Sequence, residues 1–461
     1  MKNIFANNFG DKRIDSRVNR LLHQLIEHRE SSINFISETT NERRSFYRIL
    51  HNKSVTESSL IKPITQECLI RCKGRDLVVV NDTTEFNLTS HKNRIKAGSG
   101  LGKTAKDDVL GFLLHSSLVI DLAADLSLGF SDIQIWDRSK LLTTKHERNY
   151  KELSIEKKES VKWLQALSES EKVLKEAASI TFVSDRESDI YDLFSCSKQP
   201  NSHIVLRSRV NRKTTSGESI EEVLSRTPEE HTYGIEINGD IRRKVKQHSA
   251  TIGLKWASVN IWVPSHKGRT KLPKSIPVTI VEAKEKDKLG GIHWVLLTTK
   301  RVENRESALE IVEIYKSRWH IEEFHRLLKT EGFKIESSEL ESGYAIRKLT
   351  LLCMQATLKV LEMKMSSTSD LEHDVGIIFN EEEVNCLEKI DELKFGSNQR
   401  KVPKYKPRTT KWAYSVIGKL GGWKDDNVQR KAGVITLQRG LIKFYEMFEG
   451  WTISKLTKDV S

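Results

Sequence analysis

The sequence predicts an α/β fold, with a small helical segment ahead of it and a longer helical segment behind. Three observations carry that reading. Short β-branched runs alternate with helical stretches between residues 77 and 206, a β-rich stretch follows from about 208 to 305, and both ends of the chain show helical periodicity. The chain has 461 residues, room for about three domains of ~150 residues each. Its 37% apolar content and 33 aromatic residues exclude a wholly disordered chain. Lys and Arg number 76 against 63 Asp and Glu, a formal net charge of +13. A chain this basic makes an extended polyanion the first partner to test.

Residues 1–70 read as a basic helical module. Leu21, Leu22, Leu25 and Ile26 form one apolar face, and Ser45 to Leu50 form a second short amphipathic segment. Residues 71–360 hold the α/β part. Leu77-Val78-Val79-Val80 is a strand ending at Asn81-Asp82, Phe112 to Ile120 and Leu126 to Ile135 are further strands, and Glu159 to Leu167 is a helix. Ile180 to Val183 is another strand ending at Ser184-Asp185, followed by a helix start at Asp189 and a strand at His203 to Leu206. The stretch from about 208 to 305 reads as a β insertion containing Ile252, Leu254, Trp256 and Trp294 to Leu297 at strand spacing, with a basic loop at His266 to Lys274. One long helix is expected from near Ser307. Residues 361–461 read as helical, with seven basic residues and no acid between Lys394 and Lys411.

The five cysteines are scattered, and only Cys68 and Cys72 lie close, with no second pair at zinc spacing. They read as reduced thiols of a cytoplasmic protein. The N-terminus has no apolar signal core, and Val109 to Ile120 is broken by His115, Ser116 and Ser117, so neither export nor a membrane partner is expected.

Ala97-Gly98-Ser99-Gly100-Leu101-Gly102-Lys103-Thr104 fits the loose phosphate-loop pattern. That loop needs a strand directly before it and a helix directly after, so that helix N-terminal amides cradle the phosphates. Neither flank is present here, so no nucleotide is expected. A basic glycine loop touching a DNA backbone is the better reading.

Asp82 and Asp185 each end a buried-type strand and could lie side by side at one sheet edge. Alone, either could be an N-cap or turn residue. The segment Tyr315 to Lys329 adds a third element. At about 100° per residue, Tyr315, Arg318, Glu322 and Lys329 fall within roughly 60° of one another, opposite Ile321, Phe324, Leu327 and Leu328. Glu323 lies off that line, which favours Glu322 as the acid. Three carboxylates suit hard divalent ions such as Mg²⁺, and two such ions serve an in-line displacement at phosphorus. Arg318 and Lys329 would hold the phosphodiester beside them.

These blocks resemble a known family. Asn81-Asp82-Thr83-Thr84, Ser184-Asp185-Arg186-Glu187-Ser188-Asp189-Ile190 and Tyr315-x2-Arg318-x3-Glu322-x6-Lys329 resemble the acidic blocks and the Tyr-Arg-Glu-Lys signature of the IS-four superfamily of bacterial DDE transposases. Gly10-Asp11-x-Arg13 and Phe46 to Asn52 resemble that family's end-binding domain, and Trp412 to Gly422 its C-terminal segment. The resemblance implies a ribonuclease-H-like catalytic core in which Asp82, Asp185 and Glu322 hold two Mg²⁺ ions, with Mn²⁺ as a substitute. It implies phosphate contacts from Tyr315, Arg318 and Lys329, a base pocket at Trp294, and Arg207 near the cleaved end. Further implications are double-stranded DNA as partner, a homodimer on DNA, and a nucleoid-associated bacterial cytoplasmic location. End recognition is expected from Arg13, Arg17, Arg43, Arg44 and Arg48. The competing reading is a catalytically silent DNA-binding inhibitor of transposition, against which the three intact acids argue.

Overall fold

The computed structural model describes residues 3–96, 98–104, 109–138, 153–196, 199–237, 246–265, 271–286, 288, 290–329, 332–396, 405–424 and 431–458. Helices α1 (Lys12–His28), α2 (Thr40–His51) and α3 (Glu57–Arg71) open the chain. The side chains of Asp11, Thr39 and Thr56 accept from amides of their first turns and fix where each helix begins. The apolar stripe expected on Leu21, Leu22, Leu25 and Ile26 is buried, as are Phe46, Ile49 and Leu50.

The strands are β1 (Asp76–Asn87), β2 (Gly102–Lys103), β3 (Leu110–Asp121), β4 (Leu126–Trp136), β5 (Ser179–Ser184), β6 (Ser202–Arg207), β7 (His231–Ile237), β8 (His248–Trp262), β9 (Ser275–Glu285) and β10 (His293–Thr298). Among the described residues they form one sheet in the order β2-β3-β1-β5-β6-β10-β9-β8-β7, with β4 on β3. The three strands β1, β5 and β6 are parallel, and the other pairings are antiparallel. Between them come α4 (Val161–Val173), α5 (Tyr191–Cys196) and α6 (Ile220–Arg226). After β10 follow α7 (Arg305–Lys316), α8 (Trp319–Leu328), α9 (Gly343–Ser366), α10 (Glu381–Ile390), α11 (Thr410–Leu420) and α12 (Val434–Lys458).

Alternation in β1 sorts two cores. Val78 and Val80 join the apolar layer shared with α1, α2, α8, α9, α11 and α12, while Leu77 and Val79 join the layer under α4, α5 and α6. Helices thus cover both faces of the central sheet.

Four expectations change. First, β1 runs past Asp82 to Asn87, because β3 keeps pairing with it after its pairing with β5 has ended at Val80–Val183. Second, the β insertion expected between 208 and 305 extends the central sheet itself: β10 pairs with β6, and β9, β8 and β7 continue it. Its strands cover what would otherwise be an open edge on β6. That stretch also contains α6, which begins at a Ser219–Glu222 capping box, a signature legible in Ser-x-x-Glu. Third, the single helix expected from Ser307 is two, α7 and α8. Between them the hydrogen bonds tighten to three-residue spacing at Arg318, His320 and Ile321. Fourth, residue 361 falls inside α9, a helix buried almost all round.

The glycine loop has a structural role. The Ser99 carbonyl accepts from the Tyr344 amide at 2.7 Å, and the Gly100 carbonyl accepts from Arg347 at 3.3 Å. Gly100 has a φ of +94° and packs so close that a Cβ would lie 2.6 Å from the Tyr344 ring. The loop is a cap for the start of α9. Ala97 and residues 105–108, 266–270 and 397–404 lie outside the described residues, which removes parts of the phosphate-loop pattern and of both basic stretches from view.

Candidate active site

The parallel strands put three polar residues in one row. β1 pairs with β5 up to Val80–Val183, and Asp82 and Asp185 each lie two residues beyond that pair, close enough for Asp185 to raise the Asp82 pKa. β5 pairs with β6 up to Ser184–Leu206, and Asp185 and Arg207 are the next residues along each strand. The row lies at the carboxyl ends of parallel strands, where α/β sheets place their ligand sites. Asp185 follows β5 directly, and its Oδ1 accepts from the Glu187 amide at 2.9 Å, while Asp82 Oδ1 accepts from the Thr83 amide at 2.8 Å.

Helix α8 closes the row from one side. Glu322 pairs with Arg318, and the same guanidinium lies 4.0 Å from Asp82 Oδ2. Burial pushes the Asp82 carboxyl up to about 6; Arg318 opposes the rise, and Asp185 and Glu322 add to it. Three carboxylates therefore share one field. Glu323 instead faces Lys364 on α9. The two glutamates have different neighbours, on a helix that starts after the break at Ser317 and Arg318.

Tyr315, the penultimate residue of α7, is buried, and its phenol lies among Arg318, Arg207 and Asp185. Burial raises its pKa above the usual tyrosine value. Trp294 on β10 meets it edge to face, with ring centroids 5.1 Å apart and planes at 71°. Trp294 is half-buried, so one part of the indole packs and the rest faces out. Arg207 donates to the His293 carbonyl at 2.9 Å, and its buried Nε has no hydrogen-bond partner. Lys329 stands further out. Its Nζ donates to the Glu85 carbonyl at 2.6 Å and lies 3.5 Å from Glu336, three residues along β1 from Asp82.

One residue at the site escaped the sequence reading. His325, one turn beyond Glu322, is buried, has Nε2 3.1 Å from Ser116 Oγ, and has Nδ1 3.9 Å from Asp82 Oδ2. Burial, then Lys329 and Arg318, push its pKa down to about 3, so the ring is neutral and its approach to Asp82 is no ion pair. Its spacing of three from Glu322 was the available signal.

An all-oxygen donor set suits a hard divalent cation. Among the described residues no group of three Asp, Glu, His or Cys side chains is arranged to hold a metal ion.

The five arginines expected to read DNA lie elsewhere, Arg13 and Arg17 on α1 and Arg43, Arg44 and Arg48 on α2. All five are exposed. Arg13 also pairs with Asp11 at 3.1 Å. Among the described residues no helix is long and apolar enough to cross a membrane.

Residues 2–55 match the family model described as transposase DNA-binding, and residues 132–358 match the transposase DDE domain. The first range contains all five arginines. The second contains Asp185, Arg207, Trp294, Tyr315, Arg318, Glu322 and Lys329, whereas Asp82 lies ahead of it. A piggyBac transposase synaptic complex with hairpin DNA, solved by cryo-EM, aligns with 78% of this chain and 72% of its own, at 11% identity and a TM-score of 0.38. The chain thus carries a match to a transposase DNA-binding domain and a match to a transposase DDE domain, which together support a DNA transposase.

Proposed function

We propose that this transposase works by cut and paste and belongs to the IS-four superfamily, with a close resemblance to transposon Tn-five transposase. It binds the inverted ends of its element, cleaves them through a hairpin, and joins the freed 3′-hydroxyls to target DNA. The observation that carries this is the register row of Asp82 and Asp185, with Glu322 close enough to raise the Asp82 pKa. A ribonuclease-H-like core is the arrangement this row supports.

Asp82, Asp185 and Glu322 would hold two divalent ions, Mg²⁺ with Mn²⁺ as a substitute. Such ions supply activation of the attacking oxygen and charge stabilisation on the leaving one. Arg318 then has two roles. It screens the carboxylates from one another, and it moves from Glu322 to the incoming phosphate, which frees the third acid. Tyr315 and Lys329 contact phosphates near the element's end, and Arg207 stands by the cleaved end. Trp294 offers a stacking face to a base displaced while the terminal DNA bends; base–aromatic stacking is worth about 1–3 kcal/mol. Arg13, Arg17, Arg43, Arg44 and Arg48 bind the end, and two copies pair on DNA as a homodimer. Incubation with Mg²⁺ and the element's own end sequence tests the proposal. It predicts nicked, hairpin and released products, whereas a silent inhibitor would bind the end and cut nothing.

A further inference from the structure

Two members of the row stand just beyond the hydrogen bonding of the sheet. The pairing of β5 with β6 ends at Ser184–Leu206, so that ladder does not link Asp185 to Arg207. Asp189 links them from behind. Its side chain is fully buried, at the end of the tight turn that Asp185 opens. Asp189 Oδ2 accepts from the backbone amides of Arg209 at 2.8 Å and Val210 at 2.9 Å, two and three residues past Arg207. Its Oδ1 accepts from Arg212 Nε at 3.1 Å, and Arg212 also donates to the Asp189 carbonyl at 2.9 Å. Toward the acid, Ser188 Oγ donates to the Asp185 carbonyl at 2.7 Å. Toward the added strands, the Arg212 carbonyl accepts from the Ile220 amide at 3.0 Å, in the first turn of α6.

A buried carboxylate that holds two amides and a guanidinium is demanding about geometry. Each of those bonds is charge-assisted, and losing one leaves a desolvated charge short of a partner. Amide donors belong to the main chain, so a carboxylate that grips two of them sets the path of the segment itself. A chain of bonds therefore runs from Asp185 through Ser188 and Asp189 to Arg209, and joins the ends of β5 and β6 where their pairing has stopped. Arg209 and Val210 are both exposed, so packing of their side chains does not hold this path.

We propose that Asp189 is a positioning residue, which sets the spacing between the Asp185 carboxylate and the Arg207 guanidinium. The proposal rests on the reading of Asp185 as a metal ligand and of Arg207 as a contact of the cleaved end. Under that reading, an acid and a cation must address one phosphodiester together. Supports behind such groups typically carry about 10- to 100-fold in metal affinity or activity. Asp189 itself is enclosed and acts only through the two residues it places.

The test uses the full chain bound to its end DNA, with Asp189→Asn, Val210→Pro and, as a control, Glu383→Gln. Asn keeps the size of Asp189 and puts an N–H where an acceptor stood. Val210→Pro removes one amide donor at an exposed position and leaves the buried Asp189–Arg212 pair in place. Glu383 belongs to a different buried ion pair, with Lys359 at 3.4 Å, on helices that carry none of the row. The proposal predicts that Asp189→Asn still protects the end but, once bound, cuts about 10- to 100-fold more slowly. It should also need more Mn²⁺ to reach half-saturation in a titration followed by electron paramagnetic resonance. Val210→Pro should shift both readouts the same way by less. Glu383→Gln should lower the melting temperature and move neither. The proposal is overturned if Asp189→Asn only melts earlier, cutting and binding Mn²⁺ as the wild type does once end-bound. If Asp189→Asn does not fold, an unmoved rate and Mn²⁺ titration in Val210→Pro overturns it. Full cleavage by Asp185→Ala or Arg207→Ala would instead overturn the reading of the row on which the role of Asp189 rests.

Discussion

The acid edge and the arginine face of α1 and α2 are both polar surfaces, and they are made in opposite ways. At the edge, residues from β1, β5, β6, β10, α7 and α8 meet, and burial alters their chemistry: Asp82 rises to about 6 and His325 falls to about 3. On the other face, five arginines stand exposed on two helices whose other sides carry the packing. One region gains its properties from convergence, the other from exposure. Convergence suits chemistry, where groups must act on one bond. Exposure suits a phosphate backbone, where each contact adds separately.

The largest expected effect tests convergence. Asp82→Ala or Asp185→Ala should abolish cleavage while leaving end binding largely intact, because the proposal makes each a metal ligand and leaves the phosphate contacts in place. Loss of footprinting in parallel with cleavage would merge the two regions into one function.

Substitutions on the arginine face come next. Arg43→Ala, Arg44→Ala and Arg48→Ala should each weaken end binding and flatten its salt dependence by about one counterion for each phosphate no longer neutralised. Binding measured from low to moderate salt checks this. An unchanged slope would remove these arginines from the DNA interface.

Trp294→Ala gives a more selective effect. If the indole stacks a displaced base, first-strand nicking and thermal stability survive while hairpin formation slows. If it only packs against Tyr315, all steps fall together with the melting temperature, typically by about 3–5 kcal/mol of folding free energy.

The smallest effect separates burial from convergence. Asp132 on β4 is also pushed up to about 6, chiefly by burial, and it neighbours Glu169 and Lys172 rather than the acid edge. Its folded pKa exceeds the ordinary 3.8, so the penalty is absent below that value, grows as pH rises, and is complete above about 6. Asp132→Asn should therefore stabilise the fold by about 1 kcal/mol more at pH 7 than at pH 5, with cleavage unchanged. Thermal unfolding at the two pH values checks it; an equal gain at both would remove the titration.

Much of this was legible because local rules decide it. Capping residues, the Leu21–Ile26 stripe and the Leu77–Val80 run are settled by spacing and propensity, and that run alternates between two cores as strand geometry requires. Glu322 lies beside Arg318 and Asp82 while Glu323 lies toward Lys364, a separation that helical spacing makes readable locally. What escaped depends on distant partners. The extension of β1 past Asp82 is set by β3, and the joining of β10 to β6 is set by an edge that needs a neighbour. His325 matters through Ser116, more than two hundred residues earlier in the chain. The packing of the glycine loop was hidden for the same reason, since its partner is the start of α9.

Joint action of Asp82, Asp185 and Glu322 is what everything else depends on. The sharpest comparison sets Glu322→Ala against Glu323→Ala on the element's end in Mg²⁺, reading footprint and cleavage from the same samples. Glu322→Ala should protect the end without cutting it, while Glu323→Ala should still cut. Cleavage by Glu322→Ala, with Glu323→Ala silent, would refute that joint action.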